Sequence, residues 1–127
     1  MSPNPIDTLQ KHQFILLTTF RKSGKAVPTP VWFASLDGKL YVWTQSTTGK
    51  AKRLRKGGRV QFAPSTFSGK LLGEPYDGIA RILPQGEEAA PAQAFIRKYG
   101  IQKRLFDWLW RKTVNIYIEI VPAEQPR

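Results

Sequence analysis

The chain contains no cysteine, which excludes a disulfide framework and a thiolate metal site and leaves a reducing compartment permitted. Histidine is almost as scarce. His12 is the single one, without a second histidine or a cysteine to share a metal and without a serine partner for a triad, so it reads as surface or strand-start structure. Acidic residues number nine, and none falls between Asp37 and Glu74. They are scattered, and no pair has the spacing of glycosidase or two-metal chemistry. No apolar run approaches the ~18 residues of a membrane span. Met1 to Leu9 is polar and proline-containing, unlike a secretory leader. A soluble, cytoplasmic protein without membrane partners is expected. With 127 residues, no internal repeat and no linker, residues 1–127 form one domain, large enough to bury most of its apolar surface without a staple.

What the chain has in excess is positive charge: +11 overall, with eight Lys or Arg between Asp37 and Glu74. Its partner is therefore anionic, and nucleic acid, a polyanionic coenzyme and an acidic membrane surface all suit a field of this sign. The densest stretch, Thr44 to Arg59 (TQSTTGKAKRLRKGGR), sets hydroxyls, a glycine and six cations where a strand hands over to a short helix. Backbone N–H groups, hydroxyls and Lys50 could together hold a phosphate there. A Walker-type loop is excluded, because glycine is missing where Thr44 stands and Ser or Thr where Ala51 stands. Lys52, Arg55, Lys56 and Arg59 read as a solvated helix face.

The pattern predicts a meander followed by helical insertions. Gln13 to Phe20 and Ala26 to Phe33 read as a hairpin around Lys22 to Lys25, and Asp37-Gly38 turns the chain into a third strand, Leu40 to Thr44. Lys50 to Lys56 reads as a helix stopped by Gly57-Gly58, then a strand at Val60 to Ala63 and a loop from Ser65 to Pro75. Asp77 to Leu83 is a strand in which Gly78 marks a bulge or a close backbone approach. Helices are expected at Glu87 to Tyr99 and Gln102 to Trp110, split at Gly100, before a closing strand at Val114 to Val121. Five or six strands with inserted helices make a small antiparallel barrel, since closure removes exposed edges. Of Phe95, Ile96, Tyr99, Leu105, Phe106, Trp108, Leu109 and Trp110, most are expected in the core, the surplus forming a dimer interface or a pocket wall. Pro28 and Pro30, two apart, remove two N–H donors from one edge of their strand. That edge is either protected from aggregation or left open for a flat ligand, with the N–H groups of Thr29 and Val31 still on offer.

Taken in order, LLTTFRKSGKAVPTPVWF, LDGKLYVWT, TTGKAKRLRKGGRV, DGIARIL and the later RKYG resemble the pyridoxamine-phosphate-oxidase-like split-barrel flavoproteins. More narrowly, they are similar to the branch that uses the deazaflavin coenzyme F-420. The resemblance spans residues 10 to 121. It implies a homodimer of six-stranded FMN-binding-type split barrels with coenzyme sites at the interface, each built from both subunits. Thr29, Pro30 and Val31 would lie along the tricyclic ring, and Thr44, Thr48, Gly49 and Lys50 would hold the phosphate. Arg53, where the family often has asparagine, could face the same anion. Gly57-Gly58 stands where relatives commonly have Asp-Pro.

The implied activity is an oxidoreductase passing hydride to a small, planar conjugated substrate, with the protein's work mostly positioning, so no catalytic side chain is assigned. FMN at the same phosphate site is the alternative coenzyme. A basic nucleic-acid-binding barrel is the alternative of another class; against it, the aromatics cluster in the C-terminal helices instead of alternating with cations on strands.

Overall fold

The structure is a computed structural model that describes residues 9, 12–45, 49–54, 58–84, 86–109 and 115–123, the side chains of Lys50 and Phe106 excepted. Six strands form: β1 (Phe14–Phe20), β2 (Ala26–Leu36), β3 (Lys39–Gln45), β4 (Gly58–Ser65), β5 (Tyr76–Ile82) and β6 (Asn115–Pro122). Between them lie α1 (Gly49–Arg53), α2 (Ala89–Tyr99) and α3 (Ile101–Leu109). All strand pairs are antiparallel, and they close into a barrel in the order β1-β2-β3-β6-β5-β4. This is the mainly β split-barrel architecture expected. Among the described residues no helix is long and apolar enough to cross a membrane.

Period-two alternation explains the core. Ile15, Leu17, Phe33, Leu40, Val42, Val60, Phe62, Ile118 and Ile120 point inward and are fully or almost fully buried. The alternate residues Tyr41, Trp43 and Tyr117 point outward and are covered by Ala94, Phe95 and Tyr99 of α2. The Asp37-Gly38 turn has positive φ at both residues, 52° and 76°, the backbone of a tight hairpin matched to strand twist. Gly100, with φ 59°, ends α2 and separates it from α3.

Gly78 is a close approach. A Cβ there would sit 2.9 Å from Ile120 Cγ2, 3.0 Å from Phe62 Cε1 and 3.1 Å from the Val121 carbonyl. The glycine thus lets the Phe62 ring and β6 close over β5.

Two sequence expectations change. The helix after β3 is only five residues in the described range, with Ala51 and Leu54 buried against the barrel end; Arg55 to Gly57 lie outside it. The apolar groups from Phe95 to Leu109 are not mostly core. Phe95 and Tyr99 are buried, but Leu105, Trp108 and Leu109 are exposed, because Lys103 takes the barrel-facing position on α3. Trp110 lies outside the described residues.

Candidate functional site

The candidate site residues gather where β2 and β3 part. These strands pair only from Phe33↔Val42 to Leu36↔Lys39. Carrying that register onward would set Thr44 opposite Val31 and Gln45 opposite Pro30, yet no such pairs form. Proline explains the parting. The Tyr99 hydroxyl, bonded to Phe33 N–H at 3.1 Å and to the Gln13 carbonyl at 2.9 Å, marks the side of β2 that faces β1. By the alternation of an antiparallel ladder, Val27, Thr29, Val31 and Phe33 direct N–H and C=O toward β1, where Thr29 is opposite Leu17 and Val31 opposite Ile15. Pro28 and Pro30 therefore face the gap, with carbonyls and no donor.

This corrects one expectation. The N–H groups of Thr29 and Val31 belong to the β1 ladder and are not free for a ring. Their side chains, however, share the inner face of β2 with Phe33, and Thr44 shares the inner face of β3 with Leu40 and Val42. Thr29 is half-buried, while Val31 and Thr44 are buried.

α1 closes the same end of the barrel. Arg53 Nε donates to Thr19 Oγ1 at 2.6 Å, and Thr19 is buried on the inner face of β1, opposite Val27. The guanidinium also folds back over the start of its own helix. A Cβ at Gly49 would lie 2.8 Å from Arg53 Nη1, so the glycine is what admits the cation there. Five residues give a weak dipole, so the described charge and donors at this end come chiefly from Arg53; the backbone of Lys50 lies in α1, and its side chain lies outside the described residues. Thr48 lies outside the described residues. Thr29, Pro30, Val31, Thr44, Gly49 and Arg53 thus fall around one end of the barrel, beside a strand gap. Thr19 was not singled out in the sequence, since nothing local marks a strand threonine as the partner of an arginine 34 residues on.

Two other polar groupings lie elsewhere on the barrel. On the outer face Glu119 accepts from Arg81 Nε at 3.0 Å and from the Tyr41 hydroxyl at 3.1 Å, with Lys39 Nζ at 3.9 Å. Burial pushes its carboxyl up, but these hydrogen bonds and cations outweigh burial and hold it below the usual carboxylate range. Burial first, then Glu119, pushes the Tyr41 phenol up to about 12. The cluster clasps β3, β6 and β5 with its lone pairs engaged. Lys98 Nζ lies 3.3 Å from the Phe33 ring centroid without a hydrogen-bond partner, and burial pushes it down to about 8. Near it a cavity of about 370 Å³ is lined by Ser35, Asp37 and Arg97 among others. Among the described residues no group of acidic and histidine side chains could hold a metal.

No protein-family model and no curated protein matches this chain. Solved structures do match, and at their identities they show the fold. The conserved hypothetical protein Rv2991 from Mycobacterium tuberculosis is 24% identical with a TM-score of 0.72, the match covering 98% of this chain and 82% of that one. An FAD-binding protein from Mesorhizobium loti is 18% identical with a TM-score of 0.67, covering 93% and 84%. A protein from Listeria innocua provisionally named pyridoxamine 5'-phosphate oxidase is 15% identical with a TM-score of 0.60, covering 94% and 90%. The barrel is thus shared with a protein provisionally named pyridoxamine 5'-phosphate oxidase and with an FAD-binding protein. It is also shared with a haem storage protein, so the fold alone does not fix the activity.

Proposed function

We propose that this protein is a flavin- or deazaflavin-dependent oxidoreductase, with F-420 the coenzyme favoured and FMN the alternative. The observation that carries the reading is the opening between β2 and β3 beside Arg53 and Gly49: a flat, donor-poor strand edge next to a fixed guanidinium. That pairing suits a planar ring joined to a phosphate.

The residues fit the group. Arg53 is held by Thr19 and packed on Gly49, so it would meet a phosphate with little rotamer freedom left to lose. Lys50 and Thr48 would add a second cation and a hydroxyl. Pro28 and Pro30 would face the ring with carbonyls, and Thr29, Val31 and Thr44 would line the inner side. The coenzyme, when bound, supplies the hydride. The protein then contributes orientation and exclusion of water. A second subunit completes the site in this reading, and the polyglutamate tail of F-420 gives the remaining lysines and arginines near α1 a partner.

The absorption spectrum of the protein purified from a host that makes both coenzymes tests the reading. A band near ~420 nm is expected for F-420, or near ~450 nm for a flavin. A nucleic-acid peak alone, resistant to displacement by either coenzyme, would overturn it in favour of the basic nucleic-acid-binding barrel.

A further inference from the structure

Helix α3 is turned inside out. Lys103 is 2% exposed and faces the barrel, its Nζ 3.8 Å from the Trp43 ring centroid and 5.8 Å from that of Tyr117, ion-paired with Asp107 at 2.5 Å. On the opposite side Ile101, Leu105, Trp108 and Leu109 are 82%, 52%, 59% and 51% exposed. Their spacing of i, i+4, i+7 and i+8 sets them on one stripe, and at 100° per residue Lys103 lies across the helix from its centre. An apolar stripe aimed at water on a helix that buries its lysine marks a surface to be covered.

Charge and size choose the occupant. Arg104 borders the stripe and is exposed, whereas the one acid of the helix, Asp107, is engaged by Lys103. Arg111 and Lys112 follow in the sequence. The net charge of +11 draws the whole chain toward an anionic surface. Moreover, four exposed side chains on a helix of nine residues cover less than the roughly 800 Å² per partner of a stable protein interface. A bilayer sets no such minimum, since interfacial binding grows with each buried apolar group and each cation near anionic headgroups. We infer that α3 is a peripheral membrane-docking element, laying Ile101, Leu105, Trp108 and Leu109 into the headgroup boundary of an anionic lipid surface. The inference departs from the expectation of no membrane partner, and it stands independently of the coenzyme.

Sedimentation of the full chain with lipid vesicles tests it. The protein is expected to pellet with vesicles of phosphatidylcholine mixed with phosphatidylglycerol, and about tenfold more weakly with phosphatidylcholine alone. Leu105→Ser combined with Leu109→Ser, both at exposed positions, should lose binding by about tenfold or more while the unfolding midpoint and the mass by light scattering stay unchanged. Wild type that remains in the supernatant with both vesicle types would overturn the inference. So would a double variant that binds anionic vesicles as well as wild type, which would make the attraction a matter of overall charge. A double variant that converts a wild-type dimer to monomer would assign the stripe to a second copy instead.

Discussion

Tyr99→Phe is expected to destabilise the protein by about 1–3 kcal/mol, the cost of leaving buried polar groups unsatisfied. The substitution removes one oxygen and little else. The ring stacks on Trp32 at 4.7 Å and lies 5.7 Å from Phe95, contacts that phenylalanine keeps. The hydroxyl, though, accepts from Phe33 N–H at 3.1 Å and donates its single proton to the Phe33 carbonyl at 2.6 Å or the Gln13 carbonyl at 2.9 Å. It stands in for one rung of the β1–β2 ladder beyond Phe14↔Trp32. Phe33 is also the last residue at which β2 still pairs with β3, so the hydroxyl anchors β2 where the gap begins. Burial pushes the phenol well above its ordinary value, keeping it a donor across the working pH range. Thermal unfolding should show a midpoint lowered by several degrees for a domain of this size. A midpoint within a degree of wild type would mean that the two backbone groups find other partners.

The second large effect is on affinity. Lys50→Ala is expected to weaken coenzyme binding by about 1.5–3 kcal/mol, roughly ten- to 150-fold, the range for a hydrogen bond to a charged group. Alanine is at least as good a helix former as lysine, so stability should not fall. Arg53→Ala would be a poorer probe, because it also strips the buried Thr19 hydroxyl of its donor. Fluorescence titration of the variant with F-420, beside an unfolding curve, separates binding from folding. Wild-type affinity in a folded variant would remove Lys50 from the site.

The strands were legible because their signals are local: alternation around Leu40 to Thr44, the Asp37-Gly38 turn, and the two prolines that free an edge. α3 shows where local reading stops. Its periodicity marks Ile101, Leu105, Trp108 and Leu109 as sharing a face, but not whether that face looks in or out. Trp43 and Tyr117, from β3 and β6, offer rings to a cation, and that tertiary choice turned Lys103 inward. The same holds at the site. That Thr29 and Val31 spend their N–H groups on β1 follows from register parity, which Tyr99 reveals through bonds to Gln13 and Phe33, 86 and 66 residues away. Arg53 against Thr19 and Gly49 is likewise a meeting of chain segments that no spacing announces.

The central claim is that the gap beside Arg53 and Gly49 takes a phosphate-bearing tricyclic coenzyme. Equilibrium titration of the purified protein with F-420, with FMN and with a short oligonucleotide at physiological salt tests it most directly. The account predicts saturable binding of F-420 at one coenzyme per chain, weaker or equal binding of FMN at the same site, and oligonucleotide affinity that falls steeply with added salt. Submicromolar oligonucleotide binding at that salt, with neither coenzyme binding or competing, would contradict it.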